Sequence, residues 1–189
     1  TSVVERILNF LPKVVLHQQE GILQIVWLKV ECSLDGGLRQ MLLAIADKAD
    51  ELVNGSYRKQ LGTRPSTEDL IKMVEVIAKT HRIGLIVFDE LQHLQSAKAS
   101  REATMNFFVQ YANTVRLPFM CIGTLSSKEL LQKTFQQARR IGDSGVHEWV
   151  GLRNDSHWEY LVTDLWKYQW TKKEALLTPE IASLLHKRT

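Results

Sequence analysis

The chain has 189 residues, 44% of them hydrophobic and 24% charged, with a formal net charge of +3. This composition predicts one globular domain with a sizeable core, and the dispersed basic residues mean that any nucleic-acid contact must come from a local patch. No apolar run approaches the roughly 20 residues that span a bilayer, and no signal-peptide pattern opens the chain, so we expect a cytoplasmic protein.

Apolar periodicity predicts strands that alternate with helices. The predicted helices cover residues 2–10, 38–53, 66–81, 101–114, 126–137, 156–170 and 178–187. The predicted strands cover residues 14–16, 22–30, 84–88, 118–123 and, more weakly, 147–152. Residues 57–65 between two of the helices form a basic polar loop. This order predicts an α/β fold with a mainly parallel sheet.

The most informative motif is a buried strand that ends in two acids. Residues 84–88 are all glycine or apolar, as in a parallel strand covered on both faces, and Asp89 and Glu90 come directly after them. Ligands bind at the carboxyl ends of parallel strands. In P-loop ATPases such an aspartate orients hydrated Mg²⁺ and such a glutamate polarises the attacking water, which is the Walker B arrangement. The alternative is a strand that merely ends in a polar turn.

Thr124 comes after the next predicted strand and would lie beside Glu90, where it could hold the γ-phosphate or the water as a sensor 1 residue. The alternative is a turn that leads into a helix. Further on, Arg139 and Arg140 come after a predicted helix, and one of them could act in trans as an arginine finger. A basic helix end that interacts with its own dipole is the competing interpretation.

The sequence contains no Gly-x-x-x-x-Gly-Lys-[Ser/Thr] phosphate loop. It opens instead with Thr1, Ser2 and a predicted helix, which is the order found after the lysine of such a loop. We therefore expect Thr1 and Ser2 to be cofactor-binding residues, with Thr1 as the Mg²⁺-binding hydroxyl. On this interpretation the first strand and the phosphate loop lie upstream, and these residues alone bind ATP poorly.

These motifs together resemble the AAA+ transposition regulators of the TnsC/TniB type, and TnsC most closely. The resemblance rests on residues 26–33, 84–94, 105–109, 121–124, 138–140 and 163–166, and it covers nearly the whole chain. It implies a P-loop NTPase three-layer sandwich that here lacks its first strand, its phosphate loop and most of its helical lid. Residues 1–153 would be the partial ATPase core, and residues 154–189 would be helices that lead towards the lid.

The resemblance also implies a function. Such proteins bind ATP and Mg²⁺, assemble as rings or helical filaments on double-stranded DNA, receive signals from target-selection proteins, and recruit and activate a transposase. It places Asp89 and Glu90 in Walker B and Thr124 at sensor 1, with Arg139 or Arg140 as the finger that reaches a neighbouring subunit.

DNA contacts in this family come from loops that face the filament axis. The basic residues in the matching region are Arg39, Arg58, Lys59 and Arg64, and a few such cations per subunit are enough for non-specific phosphate contact. A solvated connector is the competing interpretation of this loop. For the whole chain, the alternative is a degenerate or signalling P-loop module that acts as a protein-interaction switch without turnover.

Overall fold

A computed structural model describes residues 2–33, 37–95, 102–104, 106–109, 111, 117–127, 147–148 and 151–188. The chain divides into two compact units, Thr1–Ser144 and Gly145–Thr189. The helices are α1 (Ser2–Leu8), α2 (Leu38–Val53), α3 (Tyr57–Gln60), α4 (Thr67–Thr80), α5 (Ser156–Trp166) and α6 (Pro179–Arg188). The strands are β1 (Val14–His17), β2 (Ile22–Ile25), β3 (Trp27–Glu31), β4 (Leu85–Asp89) and β5 (Phe119–Cys121), and a 3-10 helix covers Leu91–Gln95.

The centre of the first unit is a parallel sheet in the order β3-β4-β5. Glu31 lies opposite Asp89, and Phe88 lies opposite Cys121, so the three strands end at the same edge. The predicted α/β fold with a parallel sheet is confirmed.

Helices cover both faces of this sheet. Side chains alternate between the faces along each strand. On one face, Leu8 of α1 packs with Trp27 and Val87. The larger core on the other face joins β3, β4 and β5 to α2, α4 and the helical residues within 102–111. The result is three layers, and the carboxyl ends of the strands remain together at one edge.

The two long helices of this core begin and end as their sequences predict. Asn54 ends α2 in the left-handed conformation, with φ of 50°, which asparagine tolerates better than most residues. Ser66 begins α4 in a capping box, because its hydroxyl accepts from the amide of Asp69 while the Asp69 carboxylate accepts from the amide of Ser66. These caps fix where the connections leave the core.

The prediction of a single strand over residues 22–30 is wrong, since this segment forms two strands, β2 and β3. β2 pairs with β1 in an antiparallel hairpin, whereas β3 pairs in parallel with β4. Between them, the amide of Val26 donates to the carbonyl of Lys13 at 2.8 Å. A Cβ on Gly84 would lie 2.6 Å from the carbonyl oxygen of Val26, so glycine allows the close approach at the point where the strand changes partner.

Two further predictions need correction. Residues 57–60 form the short helix α3 within the predicted loop, because the Asp50 carboxylate accepts from the amides of Tyr57 and Arg58 at 2.8 Å each. Residues 147, 148, 151 and 152 are not in a strand, although one was predicted there. The rest of that segment lies outside the described residues.

The second unit is a helical pair. Trp158 of α5 donates its indole N–H to the carbonyl of Ala182 in α6 at 3.2 Å and packs against His186. α5 ends at Trp166, earlier than predicted, because the chain folds back and the Trp166 indole donates to the carbonyl of Ala175 at 2.7 Å. Pro179 opens α6 at its first position, as expected.

Candidate active site

The carboxyl end of β4 presents two acids in different environments. Asp89 is the last residue of the strand and is 1% exposed, whereas Glu90 lies just beyond it and is half-buried. Buried carboxylates require compensating partners. For Asp89, a neighbouring strand and the next residue of the chain supply them.

Asp89 is held by a hydrogen bond and an ion pair. Its Oδ1 accepts from the amide of Glu90 at 2.9 Å, and its Oδ2 lies 3.0 Å from the ammonium of Lys29 in β3. Burial lowers the pKa of Lys29. The hydrogen bond to Asp89 and the negative charge of Asp89 together raise this pKa by more, so the net shift is upward. Lys29 is therefore a cation fixed beside the predicted magnesium-orienting carboxylate.

Lys29 also lies close to two further acidic side chains, one on its own strand and one on α1. Its Nζ lies 3.8 Å from Glu31 at the end of β3 and 3.9 Å from Glu5 in α1. With Asp89 this makes three carboxylates around one ammonium, so this group of four side chains carries net negative charge. A divalent cation is attracted to such an edge.

Glu90 has an unusual backbone conformation. Its φ is 57°, in the left-handed region, which costs a non-glycine residue roughly 1–2 kcal/mol. The turn is fixed on both sides, because Leu91 donates its amide to Ile122 at 3.0 Å and His93 donates its amide to Glu90 at 3.0 Å. Strain of this kind is found at functional sites.

Gln92 connects Glu90 to Thr124. Its side-chain Nε2 donates to the Glu90 carboxylate, and its Oε1 accepts from the amide of Thr124 at 3.2 Å. Thr124 lies just beyond β5, and its hydroxyl is 2.8 Å from that of Ser126. The structure thus brings Thr124 to the same edge as Glu90, where the sequence predicted it.

The turn between β5 and Thr124 is tightly packed. A Cβ on Gly123 would lie 2.6 Å from the hydroxyl of Ser127 and 3.2 Å from Oε1 of Gln92. Because glycine has no Cβ, this position leaves space for the side-chain amide of Gln92.

The structure describes the other predicted residues only in part. Thr1, Arg139 and Arg140 lie outside the described residues, and Ser2 is described only as the first residue of α1. Their predicted roles stay predictions.

The four predicted DNA-contacting cations lie on α2, on α3 and in the loop before α4. Arg39 donates to the carbonyl of Pro65, and Arg58 forms an ion pair with Asp47 at 3.2 Å. Lys59 and Arg64 are exposed, and within the described part of the chain neither has an acidic partner. These two keep the most charge available for an external ligand.

Sequence reasoning missed Lys29 and Gln92. Lys29 is the one charged side chain between the apolar residues 26–28 and Val30, and a lone lysine in a buried strand signals a buried partner. Gln92 gave no such signal, because its contact with Thr124 spans 32 positions.

A parallel sheet with helices on both faces and acids at the carboxyl end of a central strand is typical of a nucleotide-binding module of the P-loop ATPase type. The AAA domain family matches residues 1–131. The chain belongs to this AAA domain family. The matched region includes Asp89, Glu90 and Thr124, whereas Arg139 and Arg140 lie beyond it. A comparison with curated proteins gives no match.

AAA domains are ATPase modules that use a nucleotide and Mg²⁺, and the side chains at this edge suit that pair. Asp89, Glu90 and Thr124 all offer oxygen atoms, the ligands that Mg²⁺ and its bound waters prefer. Among the described residues, none of the helices combines the length and the apolar composition of a membrane-spanning segment.

Proposed function

We propose that this chain is an ATP-dependent, DNA-binding AAA+ regulator of transposition that links target selection to transposase recruitment and activation. The observation that carries the catalytic part is the meeting of Asp89, Glu90 and Thr124 at the carboxyl edge of one parallel sheet. The transposition part is supported by the resemblance to regulators of the TnsC/TniB type.

In this proposal each side chain at the edge has its own role. Asp89 would hold Mg²⁺ through its bound waters, and the ion would supply positive charge to the phosphates. Glu90 would polarise the attacking water, and Thr124 would contact the γ-phosphate or that water. Thr1 would supply a hydroxyl ligand to the same ion. Lys29 compensates the charge of Asp89 and keeps its carboxylate fixed at the end of β4.

The remaining catalytic group comes from a neighbouring subunit. Arg139 or Arg140 is the proposed finger that reaches the neighbour's nucleotide, so activity requires a homo-oligomer, either a ring or a helical filament. A planar guanidinium suits the charge that develops on the transferred phosphoryl group.

Double-stranded DNA is the proposed polymer on which this oligomer assembles. Lys59 and Arg64 are the principal candidates for phosphate contact, because Arg58 is already paired with Asp47 and Arg39 already donates to the carbonyl of Pro65. Contacts of this kind carry no sequence preference.

The catalytic part is tested by Glu90→Gln in the full-length protein. We expect the rate of ATP hydrolysis to fall by about 100-fold or more, while ATP binding and ATP-dependent DNA binding persist. Glu68→Gln, the same change at an exposed glutamate of α4, is the matched control and should keep wild-type turnover. Unchanged hydrolysis by Glu90→Gln would show that Glu90 is not the base.

The DNA surface is tested by Lys59→Glu combined with Arg64→Glu. Binding to every duplex sequence should weaken about equally, and the slope of log affinity against log salt should fall by about 2. Lys72→Glu combined with Lys79→Glu makes the same charge change on exposed positions of α4 and should leave the slope unaltered. If both pairs behave alike, α3 and the loop after it do not face DNA.

One observation favours the alternative of a switch without turnover. The carboxylates of both Asp89 and Glu90 already have protein partners, Lys29 and Gln92. A module of this kind would bind ATP and its partners but show no hydrolysis above the level of Glu90→Gln, so the same assay separates the two functions.

A further inference from the structure

Gln92 lies between the two strand ends that carry the proposed chemistry. One end of its side-chain amide contacts the Glu90 carboxylate, and the other end contacts the backbone of Thr124. It is therefore a direct connection from the end of β4 to the turn after β5.

The orientation of the amide is determined by its neighbours. The backbone N–H of Thr124 can only donate, so the atom that faces it must be the carbonyl Oε1. The NH₂ group then faces Glu90, whose carboxylate oxygen accepts its hydrogen bond. A flipped amide would place donor against donor and acceptor against acceptor.

The backbone around Gln92 gives this connection little freedom. Leu91 is fully buried and donates its amide to Ile122, and Gln92 comes next in the 3-10 helix. On the other side, Gly123 leaves space for Oε1, because a Cβ there would lie 3.2 Å from that atom. Gln92 is thus held from both strands.

We propose that Gln92 is the positioning residue that sets the direction of the Glu90 carboxylate and transmits movement of the Thr124 turn to it. This inference rests on the proposed ATP hydrolysis and names how the two strand ends act together in it. A nucleotide that draws Thr124 towards its γ-phosphate pulls on the Gln92 carbonyl, and the amide at the other end turns Glu90. The carboxylate is then aligned only when the turn after β5 is occupied.

The test is Gln92→Met in the full-length protein, which keeps the length of the side chain and removes both hydrogen bonds. We expect kcat for ATP hydrolysis to fall about 10- to 100-fold with KM within about twofold of wild type, because the aligned transition state is affected more than nucleotide binding. Gln60→Met, at an exposed glutamine of α3, is the matched control and should leave both constants unchanged.

A cycle with Glu90→Gln identifies action through Glu90. If Gln92 works by directing that carboxylate, Gln92→Met has no further effect on kcat in the Glu90→Gln background. Equal fold-losses in both backgrounds would overturn the proposal, as would a wild-type kcat in the single variant or a rise in KM alone.

Gln92→Glu covers the case in which methionine impairs folding. It keeps the shape of the side chain and the acceptor for Thr124 but places a like charge against Glu90. A loss of kcat at least as large as that expected for Gln92→Met supports the proposal, whereas wild-type kcat overturns it. If Glu90→Gln itself leaves hydrolysis unchanged, the proposed function fails. If Glu90→Gln abolishes hydrolysis and the Gln92 variants do not, only this inference fails.

Discussion

Replacing Lys29 with methionine removes the cation that compensates a buried carboxylate. The side chains of Lys29 and Asp89 are 12% and 2% exposed, and their charged atoms are 3.0 Å apart. Methionine keeps the apolar part of the lysine side chain, so the change is mainly electrostatic. Asp89 would keep the hydrogen bond from the amide of Glu90 but lose the cation beside its Oδ2.

The magnitude of the effect depends on this burial. Removing one partner of a buried ion pair costs roughly 3–5 kcal/mol of the free energy of unfolding. Because Lys29 is partly exposed, we expect the lower end, about 3 kcal/mol, which lowers Tm by roughly 6–12 °C in a chain of this size. Asp89→Asn in the Lys29→Met background removes the buried negative charge and should recover about 2 kcal/mol of the free energy of unfolding.

The pH dependence has a defined sign. The pKa of Lys29 is raised above its ordinary value of 10.5 in the folded chain. Its contribution to stability is therefore fully present below 10.5 and lost as the pH rises through the folded pKa. The free energies of unfolding of wild type and Lys29→Met should differ by a constant amount at neutral pH and converge in strong base.

Urea unfolding at equilibrium, with hydrogen exchange of the β4 amides as a local measure, checks these values. Lys79→Met is the control, since the Lys79 side chain is 71% exposed and its ammonium lies 4.0 Å from the Glu75 carboxylate, so the pair should contribute less than about 0.5 kcal/mol. The reasoning is refuted if Lys29→Met unfolds at the same urea concentration as this control, or if Asp89→Asn destabilises the methionine variant further.

Two further predictions concern local chemistry. Burial, and secondarily the charges of two adjacent carboxylates, raise the pKa of Cys32 from 9.0 to about 12, so its thiolate at pH 8 should be about a thousandfold scarcer than in the unfolded chain. Mass spectrometry after iodoacetamide treatment should find it alkylated only in denaturant, and rapid labelling of the native chain would contradict this. Ser66→Ala removes the hydroxyl that accepts from Asp69 and should cost roughly 1 kcal/mol. Ser56→Ala, at an N-cap without a side-chain hydrogen bond, should cost almost nothing in the same urea titration, and equal losses would show that the capping bond contributes no stability.

Elements whose signals are local could be predicted from the sequence. The capping box of α4 joins Ser66 to Asp69, three residues apart, and Asn54 ends α2 through its own backbone. The division of residues 22–30 could not be predicted, because it depends on pairing with β1 on one side and β4 on the other. A run of β-branched residues carries no information on where a strand changes partner.

The same distinction applies to the candidate site. Asp89, Glu90 and Thr124 could be located because each lies at the end of an apolar strand, and the ends of parallel strands meet. The ion pair of Lys29 could not be located without the register that places β3 beside β4. Long-range partners of polar side chains are decided by tertiary packing, which no local pattern specifies.

The order of residues 89–92 explains how one turn supports both acids. The left-handed backbone at Glu90 redirects the chain as β4 ends, so that Leu91 enters the core and Gln92 returns to the edge. The buried leucine, with its amide bonded to Ile122, fixes this turn to β5. A glycine in place of Glu90 would relieve the backbone strain but remove the carboxylate. The backbone strain is therefore the cost of placing a carboxylate, a buried leucine and an amide at three successive positions. The packing of Leu91 in the core keeps the backbone of Glu90 in this strained conformation.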